Sequence, residues 1–288
     1  MKLLSSILIA TVILTLHSCN GKTSTEDSSG NAFNVMSYNI RLNTPGDSIN
    51  AWPNRIDKVT GLIRFHQADI FGIQEALPEQ VEALVAAFPD FESLGVGRDD
   101  GLSSGEHMSV FFRKSRFEKL DGGTFWLNED TTTPGFGWDA AFNRTCTWLK
   151  LRDITTSREF IFFNTHFDHR GDTARAESSK LILKFMKELN TGSLPFILTG
   201  DFNATKNSEP IQTIMAELKD SREVSESNPY GPEATSGGFQ VRERSRIIDY
   251  IFINDKVKIL RHGHLSDSYG IYYPSDHLPV LAEVELLP

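Results

Sequence analysis

Residues able to do chemistry recur where strand-like runs end or are interrupted: Asn39 in VMSYNIR, Glu75 in FGIQEAL, His166 and Asp168 in FFNTHFDH, Asp201 and Asn203 in LTGDFNAT, Asp249 in RIIDYIF, and Asp276 with His277 in YPSDHLPV. Strand ends are where rigid elements deliver side chains to a shared cleft. Carboxylates and carboxamides are oxygen donors suited to Mg2+ or Mn2+, and histidines orient water or balance charge in a transition state. The combination points to metal-assisted hydrolysis. Zinc is disfavoured, because beyond the N-terminal region the sequence offers only Cys146 as a thiol and has no HExxH pair. No P-loop or GxGxxG motif supports a different site.

Taken singly, most of these residues have a plainer role. Gly200 makes a turn the default reading of GDFN, and Glu75 stands where a helix led by Pro78 would begin. Asp249 is harder to dismiss. An ionised carboxylate inside IIDYIFI needs a partner to offset its desolvation, and His277 is the candidate.

The elements that must position these groups are legible from periodicity. FNVMSYNI reads as a strand, RIDKVTGLIRFHQ as an amphipathic helix, ADIFGIQEA as a buried strand and LPEQVEALVAAF as a helix, a β-α-β-α opening. HMSVFFRKSRFEKL, GTFWL, CTWLKLRDI and REFIFFNTHF follow as closely spaced antiparallel strand candidates. Helical spacing returns in TARAESSKLILKFMKEL and EPIQTIMAELK, and strand character in LPFILTGDF, SRIIDYIFIN, KVKILRHGHLSD and LPVLAEVELL. These runs predict an α/β sandwich of two packed mixed β-sheets flanked by helices.

The 288 residues, 39% hydrophobic and 23% charged, suffice for one catalytic domain, expected over 33–288. Residues 1–18 read as a signal peptide of lipoprotein type, with Lys2 ahead of an apolar run too short to span a membrane. Ser18 precedes Cys19, the expected lipidation site, although His17 departs from the small residue usual there. Residues 19–32 are polar and Ser/Gly-rich, as a flexible tether would be. Cleavage would leave Cys19 and Cys146, one in the tether and one in the domain, so no disulfide is expected within the domain. The formal charge of −9 would become −10 on loss of Lys2, which disfavours a protein that holds nucleic acid by bulk electrostatics.

In their order and spacing, SYNIR, QE, NTHFDH, GDFN, IDYIF and SDHLPV resemble the endonuclease/exonuclease/phosphatase family over about residues 33 to 286. The resemblance implies a four-layered α/β sandwich with the active site at one edge of the paired sheets. It implies metal contacts at Asn39 and Glu75, with Glu75 principal and Asp276 a further ligand. Asp201 would align or deprotonate the attacking water, and Asn203 would donate to a phosphate oxygen. Asp249 would orient His277, which would touch a non-bridging oxygen or assist proton transfer, and His166 would meet the scissile phosphate or the leaving oxygen. Arg41 stands where apurinic endonucleases of the family carry a second acidic metal contact.

WPNR, GWDAAFNRTCTW and HFDHRGDTAR look like features of a bacterial branch of the family. Trp52 and Trp138 are expected to face substrate, and Trp126 and Trp148 to pack. Arg144 is open between bidentate phosphate binding and a salt bridge. The expected protein is an exported, monomeric Mg2+- or Mn2+-dependent phosphoesterase, tethered through Cys19 at the periplasmic or outer face. A phosphodiesterase acting on a small ester or lipid head group by direct water attack is favoured. A DNA or RNA nuclease, and a surface binding module that has lost the chemistry, are the alternatives.

Overall fold

The computed structural model describes residues 30–190, 193–243 and 245–288. The expected signal peptide, Cys19 and the tether up to residue 29 lie outside the described residues. No helix among the described residues is long and apolar enough to cross a membrane.

The chain opens with β1 (Phe33–Asn39), α1 (Ile56–Phe65) and β2 (Ile70–Gln74), and β1 pairs β2 in parallel as the opening pattern predicts. α2 (Pro78–Ala87) begins on proline, whose missing N–H costs nothing at a first helical position. β3 (Phe91–Leu94) and β4 (Val110–Arg113) then complete one side of the first sheet. The second sheet is built from β5 (Phe117–Trp126), β6 (Thr145–Asp153), β7 (Glu159–His166), β8 (Phe196–Asp201), β9 (Lys219–Asp220) and β10 (Asp249–Ile253). α3 (Asp172–Leu189) and α4 (Glu209–Met215) lie between its strands in sequence, and β11 (Val257–His264) and β12 (Val280–Leu286) return to the first sheet. The sheet orders are β11-β12-β1-β2-β4-β3 and β5-β6-β7-β8-β10-β9.

One sequence expectation changes here. HMSVFFRKSRFEKL is two strands, because a turn closed by Arg116 N on Arg113 O at 3.0 Å sends β4 and β5 into different sheets. GTFWL is the far end of β5, beyond a register shift between Lys119 and Asp121. The layers otherwise follow the alternation of the strands. Phe33, Val35, Ile70, Phe112, Phe160, Phe162, Ile197 and Ile251 meet between the sheets. Leu62 and Ile63 of α1 and Leu84 of α2 pack on the outer face of the first sheet, while Ile182 of α3 and Ile211 and Ile214 of α4 cover the second. The result is the expected four-layered sandwich. Truncating a wholly buried core ring such as Phe162 to alanine should cost about 3–5 kcal/mol.

The topology gathers the polar strand ends. β7 and β8 run parallel and end at His166 and Asp201, which are register partners, and antiparallel β10 starts opposite them at Asp249. On the facing sheet Asn39 pairs Gln74, one residue before Glu75. Carboxylates from both sheets therefore converge at one edge of the sandwich.

Candidate active site

The residues that make this edge adopt conformations that ordinary strands do not. Arg41, Glu75 and Asn203 have φ of 60°, 64° and 47°, the left-handed region that costs a non-glycine residue about 1–2 kcal/mol. Each turn swings a side chain off the end of a strand. At Glu75 the carboxylate accepts Asn39 Nδ2 at 2.9 Å and Leu42 N at 3.2 Å. The same Asn39 Nδ2 donates to Asp201 Oδ2 at 3.0 Å, and Asn39 Oδ1 accepts Arg41 N at 3.0 Å. Asn39 thus clamps one carboxylate from each sheet.

Asp201 is buried, and its Oδ1 accepts the N–H of Asn203 at 2.9 Å. Burial, then the neighbouring charge of Asp249, push its carboxyl up to about 7, against the opposing pull of His277 and these hydrogen bonds. Asn203 Nδ2 donates to Phe167 O at 3.0 Å, which fixes the amide, and meets His166 Nε2 at 3.0 Å. That contact makes Nε2 an acceptor and leaves the His166 proton on Nδ1, 3.7 Å from Glu106 Oε2. Burial, then the charges of Arg144 and Arg98, hold His166 well below the ordinary histidine range, so it is neutral.

His277 is the opposite case. Its Nδ1 sits 2.9 and 3.1 Å from the two carboxylate oxygens of Asp249. Burial works against its charged form, but Asp249 and then Asp201 overcome it and raise the pKa well above the usual value. The ring is a cation whose Nε2 remains for the cavity. Two buried histidines of opposite charge state therefore flank one carboxylate.

Glu75, His166, Asp201, Asn203 and His277 line a cavity of about 350 Å3, with Arg41, Leu42, Asp276, Glu106, Phe142, Arg144 and His169 completing the wall and Asn39 and Asp249 lying behind it. Arg144 makes the salt bridge that is one of its two sequence readings. Its Nε pairs with Asp168 Oδ2 at 3.3 Å and its Nη2 meets His169 Nδ1 at 3.2 Å, while Nη1 is buried without a hydrogen-bond partner. Burial alone would raise Asp168, but the N–H groups of Gly171 and Arg170 and the Arg144 charge pull it down to about 2. Phe142 stacks on His169 with ring centroids 5.7 Å apart, and its backbone N–H is held by Asp168.

The donor set fits a hard divalent cation. Glu75, His166 and Asp201 each bring a ligand atom within 4.8 Å of the others, and the same holds for Asp201, Asp249 and His277. The second group is internally paired through His277, which leaves the Glu75 side for metal. Asp276 lines the same cavity, and burial, offset by His277, raises its carboxyl, with Glu75 adding to the rise. Oxygen donors of this kind suit Mg2+ or Mn2+ better than zinc.

Clustered acidic residues beside an aspartate-histidine pair, at the edge of two stacked mixed sheets, are the arrangement the motif order implied, whereas Asn39, for which the resemblance implies a metal contact, bridges Glu75 and Asp201 through Nδ2. The sequence profile of the Endonuclease/Exonuclease/phosphatase family matches residues 36–277. This chain belongs to that family. Its members hydrolyse phosphoric ester bonds and are generally dependent on divalent metals, and the chain is an enzyme of that hydrolase class.

A mannosyl-6-phosphatase from Bacteroides thetaiotaomicron is 37% identical, with a TM-score of 0.85 over 88% of this chain and 99% of that one. A family protein from Bacteroides vulgatus is 38% identical, also with a TM-score of 0.85 and the same coverage. An RNA exonuclease of Saccharomyces cerevisiae is 23% identical over 180 residues, half of each chain. The chain spans 66%, 50% and 29% of the length of three curated relatives it matches.

Within this endonuclease/exonuclease/phosphatase site the structure brings together Asn39, Glu75, Arg144, His166, Asp201, Asn203, Asp249, Asp276 and His277. Trp52 is a correction. It is buried in the core behind the first sheet, beneath Arg55, whose guanidinium lies 5.1 Å from its ring. Arg55 itself binds the carbonyls of Ile40 and, at 2.6 Å, Arg41, and reaches Pro274 O at 3.3 Å. WPNR is thus a brace between the loops that carry Asn39 and Asp276. Trp138 is half-buried and is not part of the cavity wall. Asp139 in the same motif accepts Ala174 N at 2.7 Å and Thr173 N at 3.3 Å, so it caps the start of α3. Trp126 packs as expected, with its Nε1 on Arg98 O at 2.8 Å. Cys146 is a buried free thiol.

Sequence reasoning missed Glu106 and Phe142. Glu106 follows a loop and leads no strand-end motif, and its partner Arg98, at 2.7 Å, lies eight residues away. Phe142 reads as an ordinary loop aromatic, and only the fold shows it facing the cavity.

Proposed function

We propose that this protein is an exported, Mg2+- or Mn2+-dependent phosphatase that hydrolyses a small phosphate monoester, such as a sugar phosphate, by direct attack of water. The observation that carries this reading is the cavity. At about 350 Å3 it is near the low end of the roughly 300–1,000 Å3 typical of small-molecule sites. Its wall includes the Arg144 guanidinium and the charged His277, two cations suited to a phosphoryl group. The acidic balance of the chain, 38 Asp and Glu against 29 Lys and Arg, speaks against a polyanionic strand as substrate. The likeness to a mannosyl-6-phosphatase supports a monoester and moves the expectation away from a diester.

In this reading Glu75 and Asp276 hold the metal, which when bound would neutralise phosphoryl charge and lower the pKa of water. Asn39 keeps Glu75 and Asp201 in register across the two sheets. Asp201, with a carboxyl near 7, orients the attacking water and accepts its proton. Asn203, its amide held on Phe167 O and His166 Nε2, fixes the His166 ring beside the phosphoryl group, and the Arg144 guanidinium offsets the charge of a non-bridging oxygen. His277, kept charged by Asp249, donates from Nε2 to an oxygen whose charge grows in the transition state. Export and lipid tethering through Cys19 are part of the proposal and rest on the N-terminal sequence.

The test is a substrate screen with Mg2+, Mn2+ or chelator against mannose 6-phosphate, glucose 6-phosphate, p-nitrophenyl phosphate, bis-(p-nitrophenyl) phosphate, plasmid DNA, RNA and sphingomyelin. Monoester turnover that vanishes in chelator and returns with metal is expected. Full activity in chelator sinks the metal-centred chemistry, and turnover confined to a diester or nucleic acid sinks the substrate assignment.

A further inference from the structure

Behind the cavity lies a second polar row that the chemistry does not use. Ser37 stands two residues before Asn39, Asn164 two before His166, Thr199 two before Asp201, and Gln74 one before Glu75; all are buried. Asn164 is the hub. Its Oδ1 accepts Gln74 Nε2 at 2.7 Å and Thr199 Oγ1 at 3.0 Å. Its Nδ2 donates to Ile73 O at 2.9 Å and Ser109 O at 3.3 Å. One carboxamide on the second sheet therefore grips β2 of the first sheet while being held by β8 of its own. Gly72 makes room for it, since a Cβ there would lie 2.3 Å from Asn164 Oδ1 and 2.7 Å from Thr199 Oγ1.

This is an expensive way to fill an interior. A buried amide gains stability only when every hydrogen bond is made, and an apolar side chain of similar shape generally does as well or better. Elsewhere the layer between the sheets is apolar, formed by residues such as Val35, Phe112, Phe162 and Ile251. Apolar contact is non-directional and does not set the position of one sheet along the other. The site needs that position set, because Glu75 comes from the first sheet and Asp201 and His166 from the second.

We propose that Asn164 is a positioning residue: by hydrogen-bonding Gln74 and Ile73 one layer behind the cavity it holds the strand end that presents Glu75 to the metal, and by tying the two sheets together it fixes the separation of Glu75 from Asp201 and His166 that water attack requires. The inference rests on the metal-dependent reading of the site. Buried partners that orient metal-binding side chains typically carry 10- to 100-fold of metal affinity, and a displacement of about 1 Å at reacting groups costs about 100-fold in rate.

The experiment compares wild-type protein with Asn164→Ala, Thr199→Val and Thr199→Ser. Thr199→Val keeps the shape and removes the hydroxyl that holds Asn164, while Thr199→Ser restores it. Mn2+ affinity is read by equilibrium dialysis without substrate, alongside kcat, KM and thermal melts. For folded Asn164→Ala, Mn2+ binding about 10-fold weaker or more and kcat about 10- to 100-fold lower are expected, with KM within a few-fold of wild type. Thr199→Val should move in the same direction and Thr199→Ser should recover, which keeps the test decisive if Asn164→Ala does not fold. Variants that melt earlier but keep wild-type Mn2+ affinity and kcat would overturn the positioning role and leave a purely structural one. A wild-type protein that binds no Mn2+ would instead remove the metal reading, and this inference with it.

Discussion

Replacing Asp249 by asparagine should disable the enzyme without removing any group that touches substrate. Asp249 holds both carboxylate oxygens about 3 Å from His277 Nδ1, and both residues are buried. Unit charges about 4 Å apart interact by about 4 kcal/mol at the effective dielectric typical of proteins. That attraction, with burial working against it, keeps the His277 pKa well above the ordinary histidine range. Asp201, whose Oδ2 is 3.8 Å from the same nitrogen, retains part of that pull in the variant. The imidazolium would still be lost over much of the neutral range, and kcat should fall about 100- to 1,000-fold, as when an oriented charge at a developing oxyanion is removed. Loss of Asp249 lowers the pKa of His277, so the basic limb of the residual pH-rate profile should shift to lower pH, whereas on Asp201 the lost repulsion of Asp249 and the lost pull of the His277 cation oppose each other. Asp249 acts through His277, so Asp249→Asn combined with His277→Gln should resemble the worse single variant. The assay is kcat and kcat/KM against pH at saturating metal, with melts to exclude unfolding, since an unpaired buried carboxylate costs about 3–5 kcal/mol. Losses that multiply in the double variant, or a profile that does not move, would refute the dyad.

Two further expectations concern stability and one concerns location. Burial raises Asp220 to about 6, so the folded state favours its protonated form and loses stability as pH climbs from the unfolded value near 4 to about 6. Asp220→Asn keeps an acceptor for Arg222 N and should add about 2 kcal/mol at pH 8 and nothing at pH 4; an unchanged Tm at pH 8 would count against it. His262 and His264 are lowered by burial to about 3 and about 4, so the stability of their neutral forms is complete above about pH 6.5 and drains away as pH falls toward those values. His262→Gln should flatten the fall in Tm between pH 6.5 and 4.5, and an unaltered slope would show that other groups govern acid unfolding. Cys19→Ala should release the protein from membranes with its specific activity intact; a variant that stays membrane-bound after signal cleavage would exclude lipidation.

Periodicity exposed the sandwich because most strands are bounded by turn residues and the helices carry apolar stripes. It merged β4 with β5 because strand preference runs on through Lys114 and Ser115, and nothing local says that the chain changes sheets there. The polar row was legible because a polar residue that ends or interrupts an apolar run is conspicuous: His166 and Asp201 end theirs, Asp249 interrupts its own, and the three turn out to be register neighbours. Glu106 and Phe142 were not legible, since each owes its importance to the cavity it meets rather than to its own segment. Trp52 misled because a tryptophan in a loop-like stretch gives no sign that the loop is folded under the first sheet, with Arg55 stacked on it.

The row His166, Asp201 and Asp249 stands on three adjacent strands, so its spacing is the strand spacing, about 4.8 Å, imposed by backbone hydrogen bonds that no loop change disturbs. Phe142, Arg144 and His169 stand outside that ladder, on connections latched by Asp168 and by Asp139 at the start of α3. The hydrolytic machinery and the selecting wall are therefore separable modules of one molecule. An engineer could exchange the stretch from Gly137 to Asn143 for that of another family member, keeping Asp139 as its fastening point and Arg144 on Asp168, and leave the row on the sheets where they put it.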